Sequence, residues 1–228
     1  MSAPIRLAVL DMAGTTVRDD GLVTGAFADA LTAVGIAPDD PANPGRLEYV
    51  MATMGQSKIE VFTHLLGDAS AAHRALEAFD SSVAARVDAG AVAPLPGAAD
   101  AMAELRDAGV AVCLTTGFTA DTQRRIIEAL GWGDAVDLAL APGDGVRGRP
   151  HPDLVLAAVL ALQVDDVRQV AVAGDTTNDL WSGHHAGAGI VAGVLTGAHD
   201  ADRLGAAPHT HLLASVADLP GVVSLYGT

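Results

Sequence analysis

Cysteine and long apolar runs are both scarce in this sequence, and each shortage excludes a class of protein. Cys113 is the only cysteine among 228 residues, so the chain cannot form an internal disulfide, and a reducing compartment is expected. Its position inside an apolar run indicates an inert core residue. No run reaches the roughly 20 apolar residues of a membrane span, and residues 1–6 lack the charged and apolar regions of a signal peptide. We therefore expect a cytoplasmic protein that does not contact a membrane.

Positive charge is also scarce, and lysine is almost missing. The thirteen basic residues are twelve arginines and Lys58, against 28 acidic residues, which gives a net charge of −15. Such an acidic chain argues against a nucleic-acid partner. An anionic substrate would need a local positive site, made by a metal ion or a few basic residues. A single lysine is either a result of chance or a sign that this amine has a function, and both interpretations stay open.

Residues 5–10 form a short apolar run that predicts a strand buried on both faces. From residue 96 onwards such runs alternate with helical patterns, and a weaker unit near residues 211–219 closes the chain. Further strands are expected at residues 110–114, 136–140, 170–173 and 190–195. The alternation is typical of an α/β fold, in which helices cover both faces of a parallel sheet.

The region between the first two predicted strands contains helical patterns but no convincing strand. Helices are expected at residues 22–34, 46–54, 57–66 and 69–87. Ser57 and Glu60 fit a capping box at the start of the third helix. We predict a core domain formed by residues 1–17 and 93–228, and a helical cap domain formed by residues 18–92 that hinges at its two connections.

Polar residues follow three of the predicted strands, at the edge where parallel strands bind ligands. Asp11 ends the first strand, Thr115 follows a second, and Asp175 and Asp179 follow a third. Each carboxylate has a plainer explanation: Asp11 alone is typical of a turn, and Asp175 or Asp179 alone of a helix N-cap. Together, three carboxylates that converge with no basic residue between them would repel one another. A bound Mg²⁺, which prefers oxygen ligands, would relieve that repulsion.

These residues resemble the four sequence motifs of the haloacid dehalogenase superfamily. The matching residues are Asp11-Met12-Ala13-Gly14-Thr15-Thr16, Thr115, Arg149, and Gly174-Asp175 with Asp179 four residues further on. The resemblance covers the whole chain. It implies a hydrolase with a Rossmann-like parallel sheet and a type-one helical cap inserted after the first strand.

Further details resemble the phosphonatase family of that superfamily. They are Ala13, where most relatives have a second Asp, Gly148-Arg149-Pro150, and Met54-Gly55-Gln56-Ser57-Lys58 in the cap. This implies Mg²⁺-dependent hydrolysis of the C–P bond in phosphonoacetaldehyde or a close phosphono-aldehyde, through a lysine imine and an aspartyl-phosphate, and a homodimer through the caps. The resemblance implies catalytic roles for Asp11, Lys58, Thr115 and Arg149, substrate binding by Gly14, Thr15, Met54, Gly55, Thr116 and Gly117, and metal binding by Asp11, Ala13, Asp175 and Asp179.

The chemistry of Ala13 and Lys58 favours the same function. A phosphatase that attacks phosphorus with Asp11 needs a second acid to protonate the departing oxygen, and Ala13 cannot donate a proton. An imine on Lys58 would instead let carbon depart as a neutral enamine. Lys58 stands in the first turn of a predicted helix, where the positive end of the dipole favours the neutral amine. Arg149 would pair with Asp11 and with phosphoryl oxygens; the plainer interpretations are a structural Lys58 and a surface-loop Arg149.

One position departs from the phosphonatase pattern. That family has a His three residues after its cap lysine, implicated in proton transfer during imine formation, and Val61 stands there in this chain. His64, one turn further on, either substitutes for it or is an exposed surface residue. Three functions therefore stay open: a C–P hydrolase, a phosphomonoesterase that acts on a small phosphorylated metabolite with an acid from elsewhere, and a phosphate-binding protein without activity.

Overall fold

The structure, a computed structural model, describes residues 3–227. Its strands are β1 Leu7–Asp11, β2 Ala111–Thr115, β3 Leu138–Leu140, β4 Val170–Gly174, β5 Ile190–Val194 and β6 His211–Leu213. They form one parallel sheet in the order β3-β2-β1-β4-β5-β6. The predicted α/β fold is confirmed, and the weak unit near the end of the chain supplies β6.

Helices cover both faces of the sheet. They are α1 Leu22–Ala33, α2 Asn43–Ala52, α3 Lys58–Leu66, α4 Ala69–Asp88, α5 Ala98–Asp107, α6 Ala120–Ala129, α7 Asp153–Ala161, α8 Thr177–Ala186, α9 Ala201–Gly205 and α10 Leu219–Val223. Alternate residues of β1 point to opposite faces. Ala8 and Leu10 join the apolar cluster that contains α5 and α6, whereas Leu7 and Val9 join the one that contains α7. Both faces of the strand are buried, which explains its unbroken apolar run.

Three differences from the prediction have a clear physical reason, and the other boundaries shift by one or two residues. β1 extends to Asp11, because that residue still pairs with Thr115 in the sheet. α2 begins three residues early, at Asn43, with Pro44 in its first turn, where proline's missing N–H costs nothing. The predicted capping box at Ser57 is wrong: Ser57 is the N-cap of α3, but its side chain makes no capping hydrogen bond.

The segment from α1 to α4 packs around an aromatic group that is continuous with the apolar cluster of one sheet face, and two adjacent connections join the segment to the sheet. Phe27, Phe62 and Phe79 meet with ring centroids 4.8 to 6.0 Å apart. The two connections pair with each other, since the backbone N–H of Arg18 donates to the Ala93 carbonyl at 2.9 Å. We propose that this segment is the cap domain and that the paired connections form its hinge.

Two expectations from composition can be compared with the described residues. Within residues 3–227, no helix has the length and apolar character that a membrane crossing needs. Cys113 is fully buried in β2, and burial raises the pKa of its thiol to about 12. The thiol is therefore protonated and unreactive at neutral pH, as expected for a core residue.

Candidate active site

The carboxyl ends of three neighbouring strands bring the predicted polar residues together. Asp11, the last residue of β1, lies in register beside Thr115, the last residue of β2. Asp175 follows directly after β4, the neighbour of β1 on its other side. All three are buried. The alternation of strands and helices thus places residues from three distant parts of the sequence at one edge.

Arg149 is the buried cation of this edge. Its Nη1 donates to Asp11 Oδ1 at 2.5 Å and pairs with Asp179 Oδ1 at 2.9 Å, and its Nη2 donates to Thr115 Oγ1 at 2.6 Å. Only 3% of the side chain is exposed. Burial opposes the charge, but the carboxylates of Asp179 and Asp11 outweigh it and raise the pKa of Arg149. The expected pairing with Asp11 is present, and Arg149 is not a surface residue.

Asp179 is held by that cation and by the start of α8. Its Oδ2 accepts hydrogen bonds from the backbone N–H of Thr176 at 3.1 Å and from the Thr176 hydroxyl at 2.5 Å, in a capping box whose N-cap is Thr176. Within residues 3–227, no three His, Cys, Asp or Glu side chains are arranged to hold a metal ion. The expected convergence of three carboxylates without an intervening basic residue is wrong, because Arg149 lies between Asp11 and Asp179.

Asp175 and Asp11 are the carboxylates that remain for a metal ion. Asp175 accepts hydrogen bonds from the Thr15 hydroxyl at 3.1 Å and the Ala198 backbone N–H at 2.7 Å, both of them uncharged donors. Burial, together with the charge of Asp11, raises the pKa of Asp175 well above its usual range, and burial raises the pKa of Asp11 to about 6. Two buried carboxylates under such repulsion, with Ala13 in the same cavity wall, fit a hard cation such as Mg²⁺.

Lys58 is the second buried cation of the site, and two aromatic rings lie beside its amine. It is the first residue of α3, is 5% exposed, and has its Nζ 5.5 Å and 5.9 Å from the ring centroids of Phe118 and Phe27. Its Nζ donates to the Gln56 carbonyl at 3.3 Å, and among the described residues no carboxylate hydrogen-bonds to it. Burial lowers the pKa of Lys58 to about 8, although the charge of Asp11 opposes the shift. The shift has the predicted direction, with burial as its main cause.

The loop at residues 53–57, which we call the cap loop, carries Lys58 onto the core. The Asn178 side chain donates to the Met54 carbonyl at 2.7 Å, and the Lys58 backbone N–H donates to the Gly117 carbonyl at 3.2 Å. These contacts join the cap loop to the segments that follow β2 and β4. The cap loop is therefore docked on the sheet edge.

Two glycines of the core make this close approach possible. A Cβ on Gly117 would lie 2.2 Å from the Gln56 carbonyl oxygen, and one on Gly148 would lie 2.9 Å from the Ser57 Cβ. Neither distance is compatible with a side chain unless the cap loop moves away. The same packing explains the missing capping bond, since Ser57 faces the core and its carbonyl, not its hydroxyl, accepts from the first turn of α3.

A cavity of about 620 Å³ lies between the sheet edge and the cap, with both Asp11 and Lys58 in its wall. The other predicted site residues in the wall are Ala13, Gly14, Met54, Gly55, Thr116, Gly117 and Asp175. The predicted residues Thr15, Thr115, Arg149 and Asp179 lie behind the wall, where they hold its carboxylates or one another. The structure thus brings the predicted set together in two layers.

Three consecutive charged residues of the wall were not predicted: Arg18, Asp19 and Asp20. Arg18 and Asp20 form an exposed ion pair of 3.0 Å. Asp19 is partly buried, and its Oδ1 accepts from the backbone N–H of Val23 at 2.9 Å. Burial raises the pKa of Asp19, while the charge of Lys58 opposes the shift. In the sequence such a triplet is typical of a solvated turn, and only its place just after the first motif pointed to the site.

His64 does not take the position that Val61 leaves empty. It is exposed, its ring stacks on Tyr49 with 4.1 Å between centroids, and it is not among the residues of the cavity wall. The surface interpretation of His64 is confirmed. His184 and His185 are exposed as well.

Comparison with known proteins agrees with this geometry. A sequence model of haloacid dehalogenase-like hydrolases matches residues 5–187. The phosphonoacetaldehyde hydrolase of Bordetella pertussis is 29% identical over 263 aligned positions, which cover 97% of this chain and 92% of that protein. The probable phosphatase IndB of Dickeya dadantii is 26% identical over 221 positions, covering 94% and 92%. A hydrolase from Pseudomonas syringae has a similar structure, with a TM-score of 0.83 and 21% identity over 97% of this chain and 99% of that one. The chain belongs to the haloacid dehalogenase-like hydrolase family.

Proposed function

We propose that this hydrolase cleaves the C–P bond of a small phosphono-aldehyde such as phosphonoacetaldehyde, through an imine on Lys58 and a phosphorylated Asp11. The observation that carries the proposal is the position of Lys58. An amine whose pKa burial lowers to about 8 lines the same cavity as Asp11, and Ala13 stands where an acid would otherwise protonate a leaving oxygen. The relative named phosphonoacetaldehyde hydrolase supports the same reaction.

Asp11 is the proposed nucleophile. Arg149 holds its Oδ1 and so leaves Oδ2 free of that ion pair. Attack of a carboxylate oxygen on phosphorus forms the P–O bond as the C–P bond breaks, and the fixed positive charge of Arg149 stabilises the anionic groups. Water then hydrolyses the aspartyl-phosphate, which releases phosphate and restores Asp11.

Asp11, the Ala13 carbonyl and Asp175 would hold Mg²⁺, which when bound supplies positive charge beside the phosphoryl oxygens. Hydrogen bonds from neighbouring residues hold the charged side chains of this site in place. Thr15 and the Ala198 backbone orient Asp175, and Thr115 orients Arg149 through its hydroxyl. These contacts reduce the reorganisation that binding of an anion would require.

Lys58 makes the carbon a leaving group. Its neutral amine adds to the aldehyde, and loss of water gives a protonated imine. When the C–P bond breaks, its electron pair moves toward the imine and forms the C=C bond of a neutral enamine, so no second acid is needed. Protonation of the enamine at carbon and hydrolysis of the imine then release the aldehyde and the free Lys58. Burial lowers the pKa of Lys58 to about 8 and so increases the fraction of neutral, reactive amine.

Borohydride trapping tests this proposal. Because Lys58 is the only lysine, a reduced adduct with phosphonoacetaldehyde can form only there or at the α-amino group, and peptide mapping separates the two. We expect one adduct on Lys58 in the wild type. Lys58→Arg, the matched control, keeps the charge but should lose both the adduct and phosphate release. An active Lys58→Arg enzyme, or a wild type that gives no adduct while it releases phosphate, would refute the imine.

A phosphomonoesterase is the second candidate, and one observation favours it. Asp19 and Asp20 also line the cavity, so an acid for an alcohol leaving group is within the site even though Ala13 is not one. The relative named probable phosphatase is in accord with this reaction. It would appear as phosphate release from small phosphate esters without any adduct. A protein that releases phosphate from neither class would be the inactive phosphate-binding protein.

Two further predictions concern the assembly and location of the protein. We propose a homodimer through the caps and a cytoplasmic location. Analytical ultracentrifugation of the full chain, and fractionation of cells that express it, would test them. A monomer at micromolar concentration would refute the first.

A further inference from the structure

Imine formation at Lys58 needs a proton donor, and the sequence does not name one. The carbonyl oxygen must leave as water, and each of its two new O–H bonds requires a proton. Val61 cannot supply one, and His64 lies outside the cavity. The inference that follows rests on the proposed function.

The cavity wall restricts the choice. Its ionisable residues, within residues 3–227, are Asp11, Arg18, Asp19, Asp20, Lys58 and Asp175. Asp11 and Asp175 serve the phosphoryl end. Arg18 and Asp20 neutralise each other in an exposed ion pair, with 51% and 65% of their side chains exposed. Asp19 is left.

We propose that Asp19 is the acid–base residue that transfers protons during formation and hydrolysis of the Lys58 imine. Asp19 lies on the first connection between sheet and cap, two residues before Gly21, the N-cap of α1. The Val23 N–H holds its Oδ1, and among the described residues no hydrogen bond occupies its Oδ2. One oxygen thus fixes the carboxyl group, and the other is free to exchange a proton in the cavity.

The charges of Asp19 and Lys58 support this assignment. Burial raises the pKa of Asp19 and lowers that of Lys58, so burial acts against the charge of both groups, while the charge of each opposes the shift of the other. A protonated acid and a neutral amine hold the same number of protons as a carboxylate and an ammonium. One proton transfer from Lys58 to Asp19 therefore produces both the nucleophile and the acid that the reaction needs.

The step balances without another reagent. The Lys58 nitrogen forms a bond to the aldehyde carbon, and the carbonyl π pair moves to oxygen, which takes up one proton from that nitrogen. Asp19 then donates its proton to the hydroxyl group as the nitrogen pair forms C=N, and water leaves. Neutral Lys58, protonated Asp19 and aldehyde thus give a protonated imine, an Asp19 carboxylate and one water. The reverse sequence releases the aldehyde product.

Asp19 also has a plainer role, because its hydrogen bond to Val23 stabilises the start of α1. Asp19→Asn separates the two roles, since the amide oxygen still accepts that hydrogen bond but the side chain cannot donate a proton as an acid. Asp68→Asn is the matched control, because Asp68 also accepts a hydrogen bond at a helix start, from the Ala71 N–H of α4 at 2.7 Å, but does not line the cavity. Each variant is mixed with phosphonoacetaldehyde and borohydride, and the rate of Lys58 adduct formation is followed by mass spectrometry.

We expect Asp19→Asn to slow adduct formation and phosphate release about 100-fold, within the range of general acid–base catalysis, while Asp68→Asn stays within about twofold. If Asp19→Asn unfolds, Asp19→Ser, whose hydroxyl can also cap, gives the same test. Adduct formation at the wild-type rate in a folded Asp19 variant would overturn this inference and leave the imine standing. No adduct in the wild type would overturn the proposed function itself.

Discussion

The sheet edge and the cap loop each bury one cation, and the two environments shift the pKa of that cation in opposite directions. Arg149, at the sheet edge, has two carboxylates and a hydroxyl within 2.9 Å of its guanidinium. Lys58, at the end of the cap loop, has one carbonyl at 3.3 Å and two aromatic rings. Both are about equally buried, but the pKa of Arg149 is raised and that of Lys58 is lowered to about 8.

Under the proposed function, this difference would let one cavity bind an anion and activate an amine. A charge that must persist is surrounded by opposite charge, whereas a charge that must be lost is surrounded by apolar groups. The sheet edge, with its strand-end polar groups, provides the first environment. The cap, with its aromatic cluster, provides the second. Neither environment would serve both cations, and the site therefore needs both parts.

The largest effect should come from Asp11→Asn, which removes the nucleophile at the sheet edge and leaves the cap loop unchanged. The amide is nearly isosteric but a poor nucleophile, so we expect kcat to fall by more than about 1,000-fold. Imine trapping on Lys58 should persist. Phosphate release above a hundredth of the wild-type rate, in protein shown by mass spectrometry not to have deamidated, would exclude Asp11 from this role.

Replacing each cation by methionine should change stability in opposite directions. Arg149→Met leaves the buried carboxylates of Asp11 and Asp179 without their cation, and we expect it to reduce the free energy of unfolding by about 3–5 kcal/mol. Lys58→Met removes an amine that burial disfavours, and we expect a gain of about 1–3 kcal/mol at pH 7, from the shift of Lys58 from 10.5 to about 8. Urea unfolding of both variants measures this. Destabilisation of equal size in both would contradict the comparison.

Removal of divalent metal tests the division of the carboxylates at the sheet edge. We expect a chelator to reduce phosphate release by about 100-fold or more and Mg²⁺ to restore it, because the ion offsets charge near phosphorus. Asp175→Asn should raise the Mg²⁺ concentration needed for half-maximal rescue. Asp179→Asn is the control, since Arg149 holds that carboxylate, and its half-maximal concentration should stay within about threefold. Full activity after exhaustive chelation would refute the metal site.

The smallest effect is the pH dependence of imine trapping. Below pH 8 the neutral fraction of Lys58 falls about tenfold for each pH unit, and the trapping rate should fall with it. The free energy of unfolding should change at higher pH. The unfolded state binds this proton more tightly, so the contribution of Lys58 to the free energy of unfolding rises between pH 8 and 10.5. Lys58→Met should remove that rise; a trapping rate independent of pH from 6 to 9 would contradict the lowered pKa.

Much of the fold follows from the sequence because it depends on local patterns. The apolar run before Asp11 and the later alternation of strands and helices are enough to predict a parallel sheet, and the sheet brings Asp11 and Thr115 together. The exact end of a strand is harder to predict, because it depends on the neighbouring strand. Whether Asp11 still belongs to β1 depends on its pairing with Thr115, which the sequence of one strand does not contain.

The sequence predicts which residues form the site better than it predicts which of them form ion pairs. Arg149 and Asp11 were expected to pair, yet the ion pair of Arg149 with Asp179 depends on where two side chains meet across separate loops. That contact and the hydrogen bonds from Thr176 engage both carboxylate oxygens of Asp179, whereas the predicted metal site assumed them to be free. Asp19 shows the reverse case, since its local sequence is typical of a surface turn, and only the fold brings it into the cavity.

The close approach of the cap loop to Gly117 and Gly148 also has a consequence for reactivity. Neither glycine has a positive φ, so their own backbone would accept alanine, and the opposing loop is what forbids it. A single methyl group at either position would act as a wedge that lets water reach Lys58. The pKa of Lys58 would then move back toward 10.5, and less of the amine would be neutral. The absence of a side chain at Gly117 and Gly148 thereby increases the neutral fraction of the Lys58 amine, although neither glycine has a reactive group.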